Sequence, residues 1–281
     1  MTERDRYMNS YSIEETMTTF AKKAKIKSQL AFGKLFLLGI MAGGFIALGY
    51  LAFIRVSGTT PEEWGSFSTL LGAMLFPIGL IAITFVGGEL VTGNGMTMMF
   101  GLLEKNVSVL NVFKNWLFVL LANIVGGVLA AYFFGHIVGL TEGDFATKTL
   151  QVALAKTADS PLVMIVSGVG CNIFVCMAVW LGAMSKDFVG KIFGLWFPIM
   201  IFVVCGFQHV VANAFILPAA FFAGADISLI DMLKNIFFVF IGNEVGGALF
   251  LAVPIYLTNH APKEKPEVAE TIQETTEERV I

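Results

Sequence analysis

Of the three histidines in the chain, only His209 stands well inside an apolar run, in the stretch GFQHVVAN from Gly206 to Asn213. An imidazole accepts, donates or carries a proton near neutral pH, and an ionisable group held away from water marks a functional position. Thr92 occupies a comparable stretch, GGELVTGN from Gly87 to Asn94, where its hydroxyl can bond an imidazole or a passing anion. Two carboxyl groups, Glu89 and Glu244, also interrupt apolar runs. Negative groups repel anions, so both are read as structural, either protonated or accepting backbone N–H groups. His136 and His260 fall at the ends of runs. With no H-E-x-x-H and three dispersed histidines, zinc or Ser/His chemistry has no support, and the reading is of a protein that is not an enzyme and holds no metal or cofactor. Cys171, Cys176 and Cys205 lie in apolar runs and read as small packing residues.

The elements that must position these groups are set by where charge is missing. Of 281 residues, 56% are hydrophobic and 14% charged, and the mean hydropathy is +0.78. Ordinary soluble domains carry about 25% charged residues, so a soluble globular fold is excluded. A net charge of −3 leaves no basic surface for nucleic acid. Cutting the sequence at its charges leaves six apolar runs: 35–54, 64–103, 115–141, 160–185, 192–225 and 235–257, with Glu89 and Glu244 as the internal exceptions. Crossing the hydrocarbon layer takes about 20 residues. The second and fifth runs are too long for one straight helix, since the fifth alone would reach about 50 Å.

Six spans put both termini on one side. That side holds 14 lysines and arginines and the other holds four, Arg55, Lys148, Lys156 and Lys234, so both termini are expected in the cytoplasm of a multi-pass cell-membrane protein. The first thirty residues are too polar for a signal peptide. Ile13, Met17, Phe20, Ala21 and Ala24 share one helical face beside clustered lysines, which predicts a helix lying on the inner leaflet. The expected organisation is a cytoplasmic segment over 1–30, a six-span channel domain over 31–258, and a flexible acidic tail over 259–281.

The channel domain carries an internal repeat, residues 31–141 and 160–258. NWLFVLLANIVGGVL (115–129) and NIFFVFIGNEVGGAL (235–249) agree at eight of fifteen positions, including Asn115/Asn235, Asn123/Asn243 and both Gly-Gly pairs. The sixth span is the third after the third span, an odd offset, so the two run in opposite directions and the repeats are inverted about an axis in the membrane plane. The overlong second and fifth spans hold the same place in each repeat, with GGELVTGN and GFQHVVAN inside them. Glycine and polar residues at that depth predict broken helices, tolerated where the freed backbone faces protein or water. Broken helices in corresponding positions point to a midplane site, and half-helix N-termini aimed at it suit an anion.

The patterns E-L-x-T-G-N, G-F-x-H-x-x-A-N and G-N-x-x-G-G together resemble the formate/nitrite transporter family over roughly Tyr11 to Leu257. The resemblance implies an all-α, aquaporin-like bundle of six helices, with the second and fifth broken, assembled as a homopentamer in the bilayer with one pore per protomer. It places the central histidine on His209 and its threonine on Thr92. It places the outer constriction on Phe76, Leu90 and Phe202, the inner one on Leu80 and Val175, a vestibule lysine on Lys156, and polar pore-lining residues on Asn172 and Asn243. Gln208 departs from the glutamate that often precedes the histidine, and Val91 from the phenylalanine common in the loop.

The expected function is transport of small monovalent weak-acid anions. Formate leads on family prevalence, and nitrite or hydrosulfide are the alternatives. Lys156 would concentrate anions, apolar rings would exclude hydrated ions, and His209 would offset the charge or exchange a proton. A neutral-solute channel shares the architecture, although neither break contains Asn-Pro-Ala. Two carboxyl groups within spans would also suit a cation-coupled carrier.

Overall fold

The computed structural model describes residues 9–260, so the acidic tail from 261 onward lies outside the described residues. Among these residues all regular elements are helical. The first, α1 (Ile13–Ser28), opens on a capping box in which Ser12 Oγ accepts from the Glu15 N–H and Glu15 accepts from the Ser12 N–H. Acidic residues in its first turn and lysines in its last suit the helix dipole. The face that the sequence assigns to the inner leaflet packs on the bundle. Met17, Phe20, Ala21 and Ala24 are buried against protein, and Phe20 stacks on Phe100 and Trp180 with ring centroids 5.9 and 5.7 Å away.

The bundle follows. Span one is α2 (Phe32–Ser57). Span two is α3 (Ser66–Leu75) and α4 (Ile78–Val86), kinked at Pro77, then an extended stretch and the half-helix α5 (Val91–Leu103). Span three is α6 (Val109–Ala130), continued by a π-helical turn over Ala131–Ile137. After α7 (Ala146–Ala158) come span four, α8 (Pro161–Met184), and span five, α9 (Phe188–Val204) with the half-helix α10 (Val210–Phe222). Span six is α11 (Leu229–Gly247), a second π turn at Ala248–Ala252, and α12 (Val253–Asn259). Among the described residues five helical stretches are long and apolar enough to cross a membrane, α3 and α4 counting as one, and α9 with α10 makes up the broken fifth span. Leu117, Leu121, Val125 and Leu129 form an exposed apolar stripe along α6, as a lipid-facing surface requires.

The two halves repeat in detail. Spans three and six both begin with a capping box, Ser108–Asn111 and Ser228–Asp231, and both pass into π turns after Gly-Gly. Glycines allow the spans to cross at backbone contact. A Cβ on Gly126 would lie 2.1 Å from the Ile40 carbonyl oxygen, and one on Gly246 would lie 2.5 Å from that of Val169. Both breaks also turn on a glycine at positive φ, Gly87 at 104° and Gly206 at 73°, a conformation that L side chains resist.

Candidate functional site

Each break is held open by one asparagine on the facing span. Asn123 of α6 accepts from the Val91 N–H at 3.0 Å and donates to the Gly39 and Glu89 carbonyls at 2.8 Å each. Asn243 of α11 accepts from the Val210 N–H at 2.8 Å and donates to the Gly168 and Gln208 carbonyls at 2.8 and 3.0 Å. Backbone groups freed by the interruption need partners in a low-dielectric interior, and these amides supply them. A second pair of networks lies beside the first. Asn94 donates to Glu89 and Asn115, while Asn213 donates to Gln208 and Asn235, all at 2.8–2.9 Å.

The halves differ in charge at the residue before each half-helix cap. Glu89 Oε1 receives Lys27 Nζ at 2.6 Å, whereas its counterpart Gln208 donates to Asp159 at 2.6 Å and to the Lys156 carbonyl at 3.3 Å. An amide at 208 therefore ties down Asp159 without a cation. The sequence reads Glu89 as protonated or accepting backbone N–H groups; its carboxyl instead pairs with Lys27 and accepts from the Asn94 amide.

Half-helices α5 and α10 both start near the middle of the bundle, and their capping residues, Leu90 and His209, are equivalent positions of the repeat. His209 is 2% exposed. Its Nδ1 accepts from the Ala212 N–H at 3.1 Å, so that nitrogen carries no proton and the neutral ring holds its proton on Nε2. Nε2 lies 3.0 Å from Thr92 Oγ1, to which it donates. A helix cap thus selects the tautomer and aims an N–H at Thr92 across the bundle. Phe202 stacks over the imidazole at 5.8 Å, Phe76 meets Phe202 edge-on at 5.6 Å, and Tyr50 meets Phe76 at 5.5 Å.

Above this stack is a cavity of about 340 Å³ lined by Lys148, Lys156, Asp159, Phe76, Phe202, Gln208 and His209. It opens on the face opposite the termini, because an odd number of spans precedes α7. Lys156 is half-buried there, and burial pushes its ammonium down to about 8. The structure thus brings His209, Thr92, Phe76, Phe202 and Lys156 together. Leu80, Leu90 and Val175 are buried in the same core, but Leu90 caps α5 and does not line the outer cavity with the two phenylalanines. Asn243, expected as a pore wall, is wholly buried with its side chain committed to backbone. Asn172 donates to the carbonyls of Thr92 and Asn243, and its Oδ1 has no partner. Sequence reasoning missed Tyr50 and the matching roles of Asn94 and Asn213, which donate to Asn115 and Asn235. For the asparagines a signal existed, since each closes its break motif.

This inverted arrangement around a buried histidine invites comparison with known proteins. A family model described as Formate/nitrite transporter matches residues 14–257. The chain belongs to the formate/nitrite transporter family. It is a multi-pass membrane transport protein, not an enzyme. Among curated relatives of this family, an uncharacterized transporter of Bacillus subtilis, YrhG, is 48% identical over 83% of this chain and 88% of that protein. The formate channel BtFdhC of Bacillus thuringiensis is 46% identical over 76% of this chain and 83% of its own length. Among solved structures, a pentameric formate channel with formate bound superposes with a TM-score of 0.71 at 26% identity, covering 81% of this chain and 97% of that one.

Proposed function

We propose that the protein conducts formate across the cell membrane, with nitrite and hydrosulfide as competing substrates, through a pore in each protomer of a homopentamer. The observation that carries this reading is the stack of Phe76, Phe202, His209 and Thr92 at the floor of a lysine-lined cavity, between two half-helix N-termini. The names of BtFdhC and of the formate-bound neighbour favour formate among the three. The count of basic residues by side supports cytoplasmic termini and, with them, a cavity facing outward.

Lys156, charged below about 8, attracts the anion into the cavity. The apolar rings of Phe76 and Phe202 strip its water, a step that strongly disfavours a bare charge. The Thr92–His209 pair then faces the anion with donors, at the positive ends of the α5 and α10 dipoles, while the Val91, Val210 and Ala212 N–H groups stay bonded to Asn123, Asn243 and His209. As the ring stands, His209 is neutral. A second proton must enter at Nδ1, displacing the Ala212 N–H. The resulting imidazolium offsets the anion, and transfer of its Nε2 proton gives the neutral weak acid and a neutral ring protonated on Nδ1. That acid crosses the inner apolar slit at Leu80 and Val175 more readily than the ion would. Asn172 stands behind Thr92, holding its carbonyl in place.

Flux of each anion into proteoliposomes containing the full chain tests the substrate. Formate moving faster than nitrite and hydrosulfide under equal gradients is the expected result. A rate for formate no higher than that of empty vesicles would overturn the reading.

A further inference from the structure

Glu244 follows Asn243 on α11 and is 4% exposed. Among the described residues neither carboxyl oxygen has a hydrogen-bond partner and its carboxyl is in no ion pair. The contrast with Glu89, which holds both Lys27 and Asn94, is complete.

Its location is fixed by glycine. A Cβ on Gly95 would lie 2.7 Å from Glu244 Oε2 and 3.5 Å from Asn172 Nδ2, so the carboxyl rests on α5 about one turn from Thr92. That turn lies toward the face bearing the termini. Asn172 Nδ2 and Cys176 Sγ both donate to the Thr92 carbonyl, at 3.1 and 3.3 Å, and join the carboxyl's surroundings to the Thr92–His209 pair. Asn172 Oδ1, like Glu244, lacks a donor. Around Glu244, α8 contributes Cys176 as a titratable neighbour. The half-helices α5 and α10 and the π turn at Ala248–Ala252 contain no Asp, Glu, Lys, Arg, His or Cys.

An ionised carboxylate with no donor and no counter-ion is strongly disfavoured in such a place. One added proton removes the charge and supplies a donor where the buried amide oxygen of Asn172 lacks one. We propose that Glu244 is a second proton-binding site of the transport path, a neutral carboxylic acid beyond the Thr92–His209 pair that gives and retakes the proton accompanying the transported weak acid. This rests on the weak-acid reading above. For an anion arriving from the terminal face, the O–H bond of Glu244 breaks as the O–H bond of the weak acid forms. The charge passes to Glu244, and water from the terminal face restores the proton.

Infrared spectroscopy of the full chain in liposomes reads the site directly. Between about pH 6 and pH 8 the exposed carboxyl groups are ionised, so the C=O stretch of a protonated carboxyl is expected in the wild type and lost in Glu244→Gln. Glu89→Gln should keep it, and added formate should diminish it. Gly95→Ala, whose Cβ would displace the carboxyl, should shift the band even if Glu244→Gln folds poorly. A wild type without the band, a band that survives Glu244→Gln, or a band abolished by sodium through cation binding would overturn the proposal. In flux assays, Glu244→Gln should lose formate-driven proton uptake yet retain formate current. Wild-type proton uptake in that variant sinks this inference alone, whereas a wild type that moves no formate sinks the functional reading beneath it.

Discussion

Replacing Asn243 with alanine distinguishes a bracket of the broken helix from a wall of the pore. The substitution strips the partner from three buried backbone groups: the Val210 N–H and the carbonyls of Gly168 and Gln208. Leaving a buried polar group unsatisfied costs about 1–3 kcal/mol, so three such losses total about 3–9 kcal/mol, with relaxation favouring the lower end. At about 2–4 °C per kcal/mol for a chain of this size, the melting temperature should fall by at least about 6 °C. Thermal unfolding of the detergent-solubilised protein, followed by fluorescence of its four tryptophans, provides the measurement. Asn123→Ala removes the equivalent three bonds and should cause a similar drop. A fall of less than about 2 °C for Asn243→Ala, under 1 kcal/mol on the same scale, together with abolished transport, would show that Asn243 acts on the permeating ion and would refute this reasoning.

Three further outcomes follow from the same geometry. Gly126→Ala drives a Cβ into the Ile40 carbonyl, whereas a Cβ on Gly44 meets nothing within 4 Å; the first variant should fail to yield folded protein and the second should match wild type, as read by size-exclusion chromatography. Because burial lowers the Lys156 pKa to about 8 from 10.5, its charge is present below about 8 and lost above it. Formate uptake at a fixed gradient should therefore decline as external pH rises through about 8, and Lys156→Gln should be slow and flat across that range. Stability runs the other way, since the unfolded chain binds more protons between about 8 and 10.5 and the folded protein gains stability across that window. Lys27→Met removes the cation from Glu89 in a pair whose side chains are 18% and 7% exposed; a loss near about 3 kcal/mol is expected from breaking such a pair. Adding Glu89→Gln should recover most of it, because Gln208 fills the equivalent place with no cation, and a double-mutant cycle on melting temperatures tests this.

The six spans, the two breaks and the inverted repeat were legible because each has a one-dimensional signature. Apolar runs have a length to match the bilayer, glycines at 87 and 206 sit where the chain turns at positive φ, and matched asparagines mark equivalent positions. What the asparagines do was not legible, since an amide in an apolar helix looks the same whether it faces a pore or a neighbouring backbone. The tautomer of His209 also depends on a cap that exists only once α10 begins at Val210. The face of α1 reads as lipid-seeking by pattern, and only the positions of Phe100 and Trp180 reveal the partner it packs on. Glu244 carried a visible charge in the sequence, but its isolation is a property of the packed bundle.

The central claim is that His209 governs proton-linked passage of the weak acid, and His209→Asn tests it most directly. Asparagine is also a good helix cap, so α10 should keep its start while the exchangeable proton is removed. Below about pH 7, where Lys156 stays charged, formate uptake into proteoliposomes should accelerate as external pH falls for the wild type and lose that acceleration in His209→Asn. An unchanged pH dependence in the variant would contradict the account.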